Sequence, residues 1–176
     1  MLKIESERMI LIAANLEMAE AELLNRDKLE SLVGAKFPVN WPPPLNDENS
    51  MKWFGEYLKS NPDAAGWVMW YFCLKISGND LPVIGSGGFK GKPDDSGIVE
   101  IGYSIMEDHQ RNGYAPEAVR VLTGWAFRNP KVKKVVAQTF PKLLPSIKVL
   151  EKCGFKFVGK GYEDGTILYE IIKTEN

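Results

Sequence analysis

Apolar residues recur along the chain with two different spacings, which separate the predicted helices from the predicted strands. In the first part, a short apolar run precedes segments with helical spacing. We predict there a strand at Met9–Ile12, a helix capped by Asn15, a helix from Asp27 to Val33 ended by Gly34, and a helix opened by Asn49 or Ser50 and broken near Asn61. Between the last two helices, the proline-rich segment from Phe37 to Pro44 is not expected to be helical.

The second part of the chain alternates between strand-like and helix-like segments. We predict strands at Trp67–Ile76 and Leu81–Phe89 joined by a hairpin turn at Ser77–Asp80, a strand at Ile98–Met106, a helix at Pro116–Arg128, a strand at Lys133–Thr139, a helix started by Pro145 and Ser146 and ended by Gly154, and a final hairpin of Phe155–Val158 and Thr166–Ile172. Antiparallel strands followed by alternating strands and helices indicate a mixed α/β domain.

The loop Gln110–Ala115, between a predicted strand and a predicted helix, is the most informative segment. A glycine-bearing loop at a helix N-terminus exposes backbone N–H groups that no helical carbonyl can accept from. The helix dipole adds partial positive charge at the same place. Gln110 and Arg111 supply further donors. The loop is therefore suited to holding a phosphate or pyrophosphate.

Length and composition limit the class of protein. The 176 residues match one typical domain, so we predict a single domain over residues 1–176, and 44% hydrophobic residues allow it a sizeable core. A net charge of −1 argues against nucleic acid as a partner, because duplex binding usually leaves a basic face. The local cluster of Lys131, Lys133 and Lys134 is interpreted as a solvated strand end.

Two cysteines, Cys73 and Cys153, have no metal-ligand spacing, and we interpret each as a small buried residue rather than half of a disulfide. No metal site is predicted. The N-terminal residues lack the apolar core of a signal peptide, and no apolar run approaches the roughly 20 residues that a membrane span needs. We therefore expect a cytoplasmic protein with no membrane partner.

Three segments in sequence carry a family resemblance: Glu100–Ile105, then the spacing Gln110-x-x-Gly113-x-Ala115, then Ser146–Phe155. Together they resemble the GNAT superfamily of N-acetyltransferases, and most of all the branch that includes the ribosomal-protein alanine acetyltransferases. The similarity extends from about Glu7 to Ile172. It implies a single α/β (α+β) domain with a twisted, mixed central β-sheet that is splayed between two strands and flanked by helices.

The resemblance also implies acetyl-CoA as cofactor, in the role of a co-substrate. Backbone groups of Tyr103 and Ile105 would pair with the pantetheine arm like an added strand, and Ser146 would lie near the thiol. The implied cofactor-binding residues are Tyr103, Ser104, Ile105, Gln110, Arg111, Asn112, Gly113, Tyr114 and Ala115. Leu143 departs from the family, which often has asparagine there, so one contact to the cofactor is in question.

Acetyl transfer to an amine needs a neutral amine, a polarised carbonyl and a protonated leaving thiolate. Glu100 is the candidate base, directly or through a water; alternatively it lies on a solvent-facing side or in a structural hydrogen bond. Ser146 is the candidate acid, although it could equally cap a helix. His109, the only histidine, is assigned to a turn or cap. Trp41, in the proline-rich loop, is the candidate acceptor contact through a cation–π interaction.

The sequence therefore predicts an acetyl-CoA-dependent N-acetyltransferase acting by direct attack in a ternary complex. Its acceptor partner is an amine-bearing small molecule or a protein N-terminus, and the oligomeric state is monomer or homodimer. The alternative is a non-catalytic acyl-CoA-binding or sensing module on the same fold. A nucleotide-binding protein is disfavoured, because the chain has no Gly-Lys-Ser/Thr loop and no dinucleotide fingerprint.

Overall fold

The computed structural model describes residues 1–44, 46–76 and 81–174, and within these ranges eight strands form one sheet flanked by five α-helices. The strands are β1 Lys3–Glu5, β2 Met9–Ala13, β3 Met69–Leu74, β4 Val83–Phe89, β5 Ile98–Ile105, β6 Lys134–Thr139, β7 Lys156–Lys160 and β8 Ile167–Ile172. The helices are α1 Leu16–Leu24, α2 Arg26–Val33, α3 Glu48–Ser60, α4 Tyr114–Phe127 and α5 Leu144–Lys152, with a short 3-10 helix at Glu107–His109.

The strands lie in the order β1-β2-β3-β4-β5-β6-β8-β7, and neighbours are antiparallel except at β5 and β6, which are parallel. The parallel pairing is short: it runs from Ile98 opposite Lys134 to Glu100 opposite Val136. Both strands continue well past this point, β5 to Ile105 and β6 to Thr139. They therefore part after three paired residues, and the predicted mixed sheet, splayed between two strands, is confirmed.

Two hydrophobic clusters cover the two faces of the sheet, and β3 shows why. Successive strand residues point to opposite faces, and in β3 Trp70 and Phe72 belong to one cluster while Met69, Tyr71 and Cys73 belong to the other. Helices α4 and α5 pack on the first cluster and α2 on the second, whereas α1 and α3 contribute residues to both. Because β3 is covered on both sides, it reads as a continuous apolar run rather than an alternating one.

Local capping signals explain where most helices begin and end. Asn15 caps α1 as predicted, since its Oδ1 accepts from the Met18 N–H at 2.9 Å, and Gly34 ends α2 with a φ of +70°. The predicted cap of α3 is wrong: Asp47, not Asn49 or Ser50, is the N-cap. The run from residue 47 to residue 50 offers four successive polar residues, and the carboxylate of the first one accepts the first-turn N–H of Ser50 at 2.8 Å.

The other differences from the sequence lie mainly at element ends. β3 begins at Met69 rather than at Trp67, and α4 begins at Tyr114, so that Pro116 is its third residue. The edge strand β1 was not predicted, because three residues with one apolar position carry no readable period. The predicted turn at Ser77–Asp80 lies outside the described residues. Both cysteines are free thiols, and burial raises the pKa of Cys73 to about 12.

The packing of α4 on the sheet can be tested with two leucines in helices. Leu122 is fully buried in α4, whereas Leu24 at the end of α1 is 86% exposed. We expect Leu122→Ala to lower the free energy of unfolding by about 2–5 kcal/mol, because it leaves a cavity in the core. Leu24→Ala should change it by less than about 0.5 kcal/mol. Chemical denaturation measures both, and similar effects from the two variants would contradict this packing.

Candidate active site

The gap between β5 and β6 opens into a cavity of about 890 Å³, within the usual range for small-molecule sites. Glu100–Ile105 of β5 line one side and Ala137–Thr139 of β6 line the other. The first turns of α4 and α5, a segment that includes Asn46 and Phe54, and residues 86–90 at the end of β4 also line the cavity. The cavity thus lies where the sheet is open and where the predicted loop meets α4.

The edge of β5 that faces this cavity has backbone groups turned toward it. The N–H of Lys90 donates to the carbonyl of Glu100 at 2.9 Å, so Glu100 makes its backbone bond toward β4. Bonding direction alternates along an antiparallel strand. Beyond the pairing with β6, whose last bond takes the Ile101 N–H, Tyr103 directs its N–H and C=O into the cavity and Ile105 directs its N–H there. An extended ligand with amide groups can pair with this edge as a strand would.

Glycine and an unusual backbone shape the loop before α4. Gly113 is the N-cap of α4 with a φ of +80°, and Arg111 also has a positive φ, +64°, which is uncommon for a residue with a side chain. No side chain caps the helix. The first-turn N–H groups of Tyr114 and Ala115 therefore have no intrahelical acceptor, and both residues line the cavity. The geometry is that of an anion site at a helix N-terminus.

Within the loop, two predicted contact residues also hold its own backbone. The Gln110 Nε2 donates to the Ile105 carbonyl at 3.0 Å, which fixes the loop against the end of β5. The Asn112 Nδ2 donates to the carbonyls of His109 and Gln110 at 3.2 and 3.0 Å. These side chains pre-form the loop, so the N–H groups of residues 111–115 are oriented before any ligand arrives.

Arg8 supports the loop from outside, and no local sequence signal reveals this because Arg8 lies far away in the chain. Its Nε donates to Glu117 Oε2 at 2.7 Å, its Nη1 donates to the Asn112 carbonyl at 2.9 Å, and its guanidinium lies 4.6 Å from the centre of the Tyr114 ring. Burial would raise the pKa of Glu117, but hydrogen bonds from Ser6 and Arg8 lower it below its ordinary value. Arg8 thereby offsets a negative charge beside the anion site.

Tyr103 and Ser146 meet on the α5 side of the cavity. The Tyr103 hydroxyl donates to the Ser146 carbonyl at 3.2 Å and lies 3.3 Å from the Ser146 Oγ. The alternative that Ser146 caps α5 is wrong, because the N-cap is Leu143 and Ser146 is the third helical residue. Burial raises the pKa of Tyr103 to about 12, so its hydroxyl stays protonated at neutral pH.

Glu100 has the features of both interpretations that the sequence left open. It lines the cavity with a side chain only 17% exposed, and it is also hydrogen-bonded. The Gln138 Nε2 donates to its two oxygens at 3.0 and 3.1 Å, and the Lys90 Nζ lies 2.6 Å from Oε1. The Gln138 Oε1 accepts from the Glu163 N–H at 2.9 Å, which fixes the direction of the amide. The Glu100 carboxylate is therefore held in one orientation.

Of the two remaining sequence candidates, His109 lies at the cavity and Trp41 lies in the core. His109 lies in the 3-10 helix after β5, the turn position that was predicted, and it also lines the cavity. Trp41 is buried in the second hydrophobic cluster, where its Nε1 donates to Glu22 Oε1 at 2.7 Å and its ring packs edge-on against Phe37. Trp41 is not among the described residues that line the cavity. The structure places it in the core instead.

Several cavity residues carry no motif that sequence reasoning could have used. The cavity-lining residues that sequence reasoning missed include Asn46, Ser50, Phe54, Lys90, Gln138 and Thr139. Asn46 and Ser86 are typical of these. The Asn46 Nδ2 donates to the Ser86 Oγ at 2.6 Å, which ties the chain just after the proline-rich segment to β4 across 40 residues. Such pairs become visible only once the strands are in register.

Comparison with known proteins decides the family. Residues 9–156 match the family profile described as "Acetyltransferase (GNAT) domain". The chain belongs to the GNAT family of acetyltransferases. It is 29% identical to the uncharacterised N-acetyltransferase YjdG of Bacillus subtilis (strain 168), over 88% of this chain and 90% of that protein. The protein is thus an acetyl-CoA-dependent N-acetyltransferase, and the predicted family is confirmed.

Solved structures agree on the fold of this GNAT protein. The ribosomal L7/L12 α-N-protein acetyltransferase RimL, in complex with coenzyme A, superposes with a TM-score of 0.65 at 18% identity, over 97% of this chain and 98% of that one. The ribosomal-protein-S5-alanine acetyltransferase of Vibrio fischeri gives 0.64 at 19% identity, over 98% and 97%. At these identities the similarity establishes the fold. It does not indicate which acceptor this protein acetylates.

Among the described residues, no group of three or more histidine, cysteine, aspartate or glutamate side chains is placed to hold a metal ion. No helix within the described ranges is both long and apolar enough to cross a membrane.

The support that Arg8 gives to the loop makes a first prediction for the site. We expect Arg8→Ala to weaken acetyl-CoA binding roughly tenfold, about 1.4 kcal/mol, because the loop loses two charge-assisted contacts. Arg128→Ala removes an exposed arginine at the other end of α4 and should leave the dissociation constant unchanged. Isothermal titration calorimetry measures both, and equal dissociation constants for Arg8→Ala and the unmodified protein would contradict the supporting role.

Proposed function

We propose that this GNAT acetyltransferase moves the acetyl group of acetyl-CoA to a primary amine by direct attack, with both substrates bound together. The observation that carries the proposal is the short pairing of β5 with β6, which leaves a backbone edge facing a cavity whose end is an anion site. A strand-like arm and a diphosphate are the two recognition elements of coenzyme A that this arrangement suits.

Coenzyme A would lie along β5, with its pantetheine amides on the backbone of Tyr103–Ile105 and its diphosphate on the N–H groups of residues 111–115. Free backbone groups support this fit. Tyr103 has an N–H and a C=O on the cavity side of β5, and the first-turn N–H groups of Tyr114 and Ala115 have no intrahelical acceptor. The amides of pantetheine and the oxygens of the diphosphate are partners of the right kind for these groups.

Catalysis would rest on positioning and on two proton movements. Acetyl-CoA supplies the activated thioester carbonyl. Glu100, oriented by Gln138, takes a proton from the attacking amine. Ser146 donates a proton to the departing sulfur, with the Tyr103 hydroxyl beside it as a second donor that stays protonated. Alignment of the two reactants by the cavity walls supplies the remainder, which reaches roughly 7–11 kcal/mol in favourable systems.

The acceptor would enter on the side of the cavity lined by Asn46, Ser50 and Phe54. These residues follow the proline-rich segment, and Ser104 of β5 is tied to it by a hydrogen bond from its Oγ to the Pro44 carbonyl. An amine-bearing small molecule and a protein N-terminus both meet the chemical requirement. The fold shared with ribosomal-protein acetyltransferases supports the N-terminus, by analogy of fold alone.

Binding of acetyl-CoA at the loop can be tested by melting temperature. At a ligand concentration a hundredfold above the dissociation constant, we expect a rise of about 5–10 °C. Gly113→Trp should abolish this rise, because a residue with a side chain is strained at φ +80° and the substitution would distort the loop before α4. Gly124→Trp, on the same helix with open space around its Cβ, should keep it. A full rise in the Gly113 variant would contradict the assigned site.

The role of Glu100 is tested by comparison with a glutamate on another strand, Glu170 of β8. Glu100→Gln should lower turnover about 10²–10⁴-fold with little change in acetyl-CoA binding, because only the proton acceptor is lost. Glu170 is a matched control: its side chain is 20% exposed and paired with Lys134 at 2.8 Å, but it does not line the cavity. Glu170→Gln should keep turnover within a few-fold. A panel of amines and short peptides with thiol detection provides the measurement, and similar turnover for the two variants would assign Glu100 a structural role.

A further inference from the structure

Lys90 is a primary amine held inside the candidate active site. It follows β4, lines the cavity, and places its Nζ 2.6 Å from Glu100 Oε1 and 2.8 Å from Glu163 Oε1. Its side chain is 51% exposed, so it is not locked into the core. Lys90 thus places an alkylammonium group between the proposed base, Glu100, and a second carboxylate, Glu163. An amine substrate would present the same group in this cavity.

We propose that Lys90 is an acetylation site, modified by the acetyl-CoA bound to the same protein. The inference rests on the proposed function, since it uses the same cavity and the same base. It assigns to this chain a covalent modification of its own active-site lysine, in addition to the transfer to an external amine.

The step balances without any further reactant. Glu100 takes one proton from the Lys90 ammonium, and the freed nitrogen lone pair forms a C–N bond with the thioester carbonyl carbon. The C–S bond breaks, and its electron pair leaves on sulfur, which takes the second proton from nitrogen. The products are acetyl-lysine and the free thiol of coenzyme A, and Glu100 later releases its proton to solvent.

Other lysines near the site lack this combination of contacts. Lys92 lies two residues away and is paired with Asp63, but it does not line the cavity. Lys148 and Lys152 of α5 do line the cavity, yet neither has a carboxylate within ion-pair distance among the described residues. Lys90 alone of these four joins a place in the cavity to a proton acceptor.

Acetylation would also change the site for later substrates. Burial lowers the pKa of Lys90, but its hydrogen bonds to Glu100 and Glu163 outweigh this and raise the pKa above its ordinary value. The resting amine is therefore a charged partner that competes with an incoming amine for Glu100. An acetylated Lys90 is neutral, and both carboxylates become available to an external ammonium group.

The test compares two variants, each of which removes one of the two carboxylates that contact Lys90. Protein is incubated with saturating acetyl-CoA, and acetylation is followed by peptide mass spectrometry at Lys90 and, as the internal control, at Lys92. We expect Lys90 to be acetylated at least about tenfold faster than Lys92. Glu100→Gln should slow Lys90 acetylation about tenfold or more, because the proton acceptor is lost. Glu163→Gln should quicken it about two- to tenfold, because the amine loses a partner that holds its proton.

Opposite effects of the two variants identify an enzymatic step. Uncatalysed acetylation of a surface amine would instead quicken in both variants, since both free the amine, and that result overturns the proposal. Equal rates at Lys90 and Lys92 overturn it as well. If Lys90 stays unmodified while acetyl-CoA binds and external amines are acetylated, the inference fails and the proposed function stands; if acetyl-CoA neither binds nor reacts, both fail.

A second measurement does not depend on turnover. Limited labelling with an amine-reactive anhydride is carried out with and without coenzyme A, which has no acetyl group to transfer. We expect bound coenzyme A to protect Lys90 at least about twofold, because the cavity is filled, and to leave Lys92 unchanged. Equal labelling of Lys90 in both conditions would place its amine outside the cofactor's reach and overturn the proposal.

Discussion

The site depends on one constraint in the sheet: β5 and β6 pair over only three residues before they separate. Where backbone pairing stops, a side-chain bond takes over, since Gln138 of β6 reaches Glu100 of β5. Beyond that bond no side-chain hydrogen bond joins the two strands among the described residues, and the cavity begins. The carboxylate thus lies at the closed end of the gap, held by a contact that extends the short pairing between the two strands.

Two kinds of backbone group with unmet bonding capacity meet around this gap. The edge of β5 offers alternating donors and acceptors, and the start of α4 offers donors backed by the helix dipole. Both are pre-formed: Gln110 fixes the loop to the end of β5, and Arg8 fixes it from the first hairpin. A ligand that joins an amide-bearing arm to a diphosphate satisfies both at once, which is the physical reason for linking this fold to coenzyme A.

Sequence reasoning succeeded where the signal was local and failed where it was not. The strand, the loop with Gly113 and the following helix are contiguous, so their order and approximate bounds could be predicted without a structure. Ser146 was open to a capping role because α5 starts two residues earlier than its polar residues suggest. Arg8, Lys90 and Gln138 reach the site only through strand register and packing, and no spacing along the chain reports them. The fold could be predicted from the sequence, but the charged and polar partners of Glu100 could not.

A crystal structure of the protein with coenzyme A is the most direct test. We expect the pantetheine arm to lie beside β5 with hydrogen bonds to the backbone of Tyr103 and Ile105, and the diphosphate to contact the N–H groups of residues 111–115. A coenzyme A molecule bound on another surface, or one that enters the gap without contacting the β5 backbone, would contradict it.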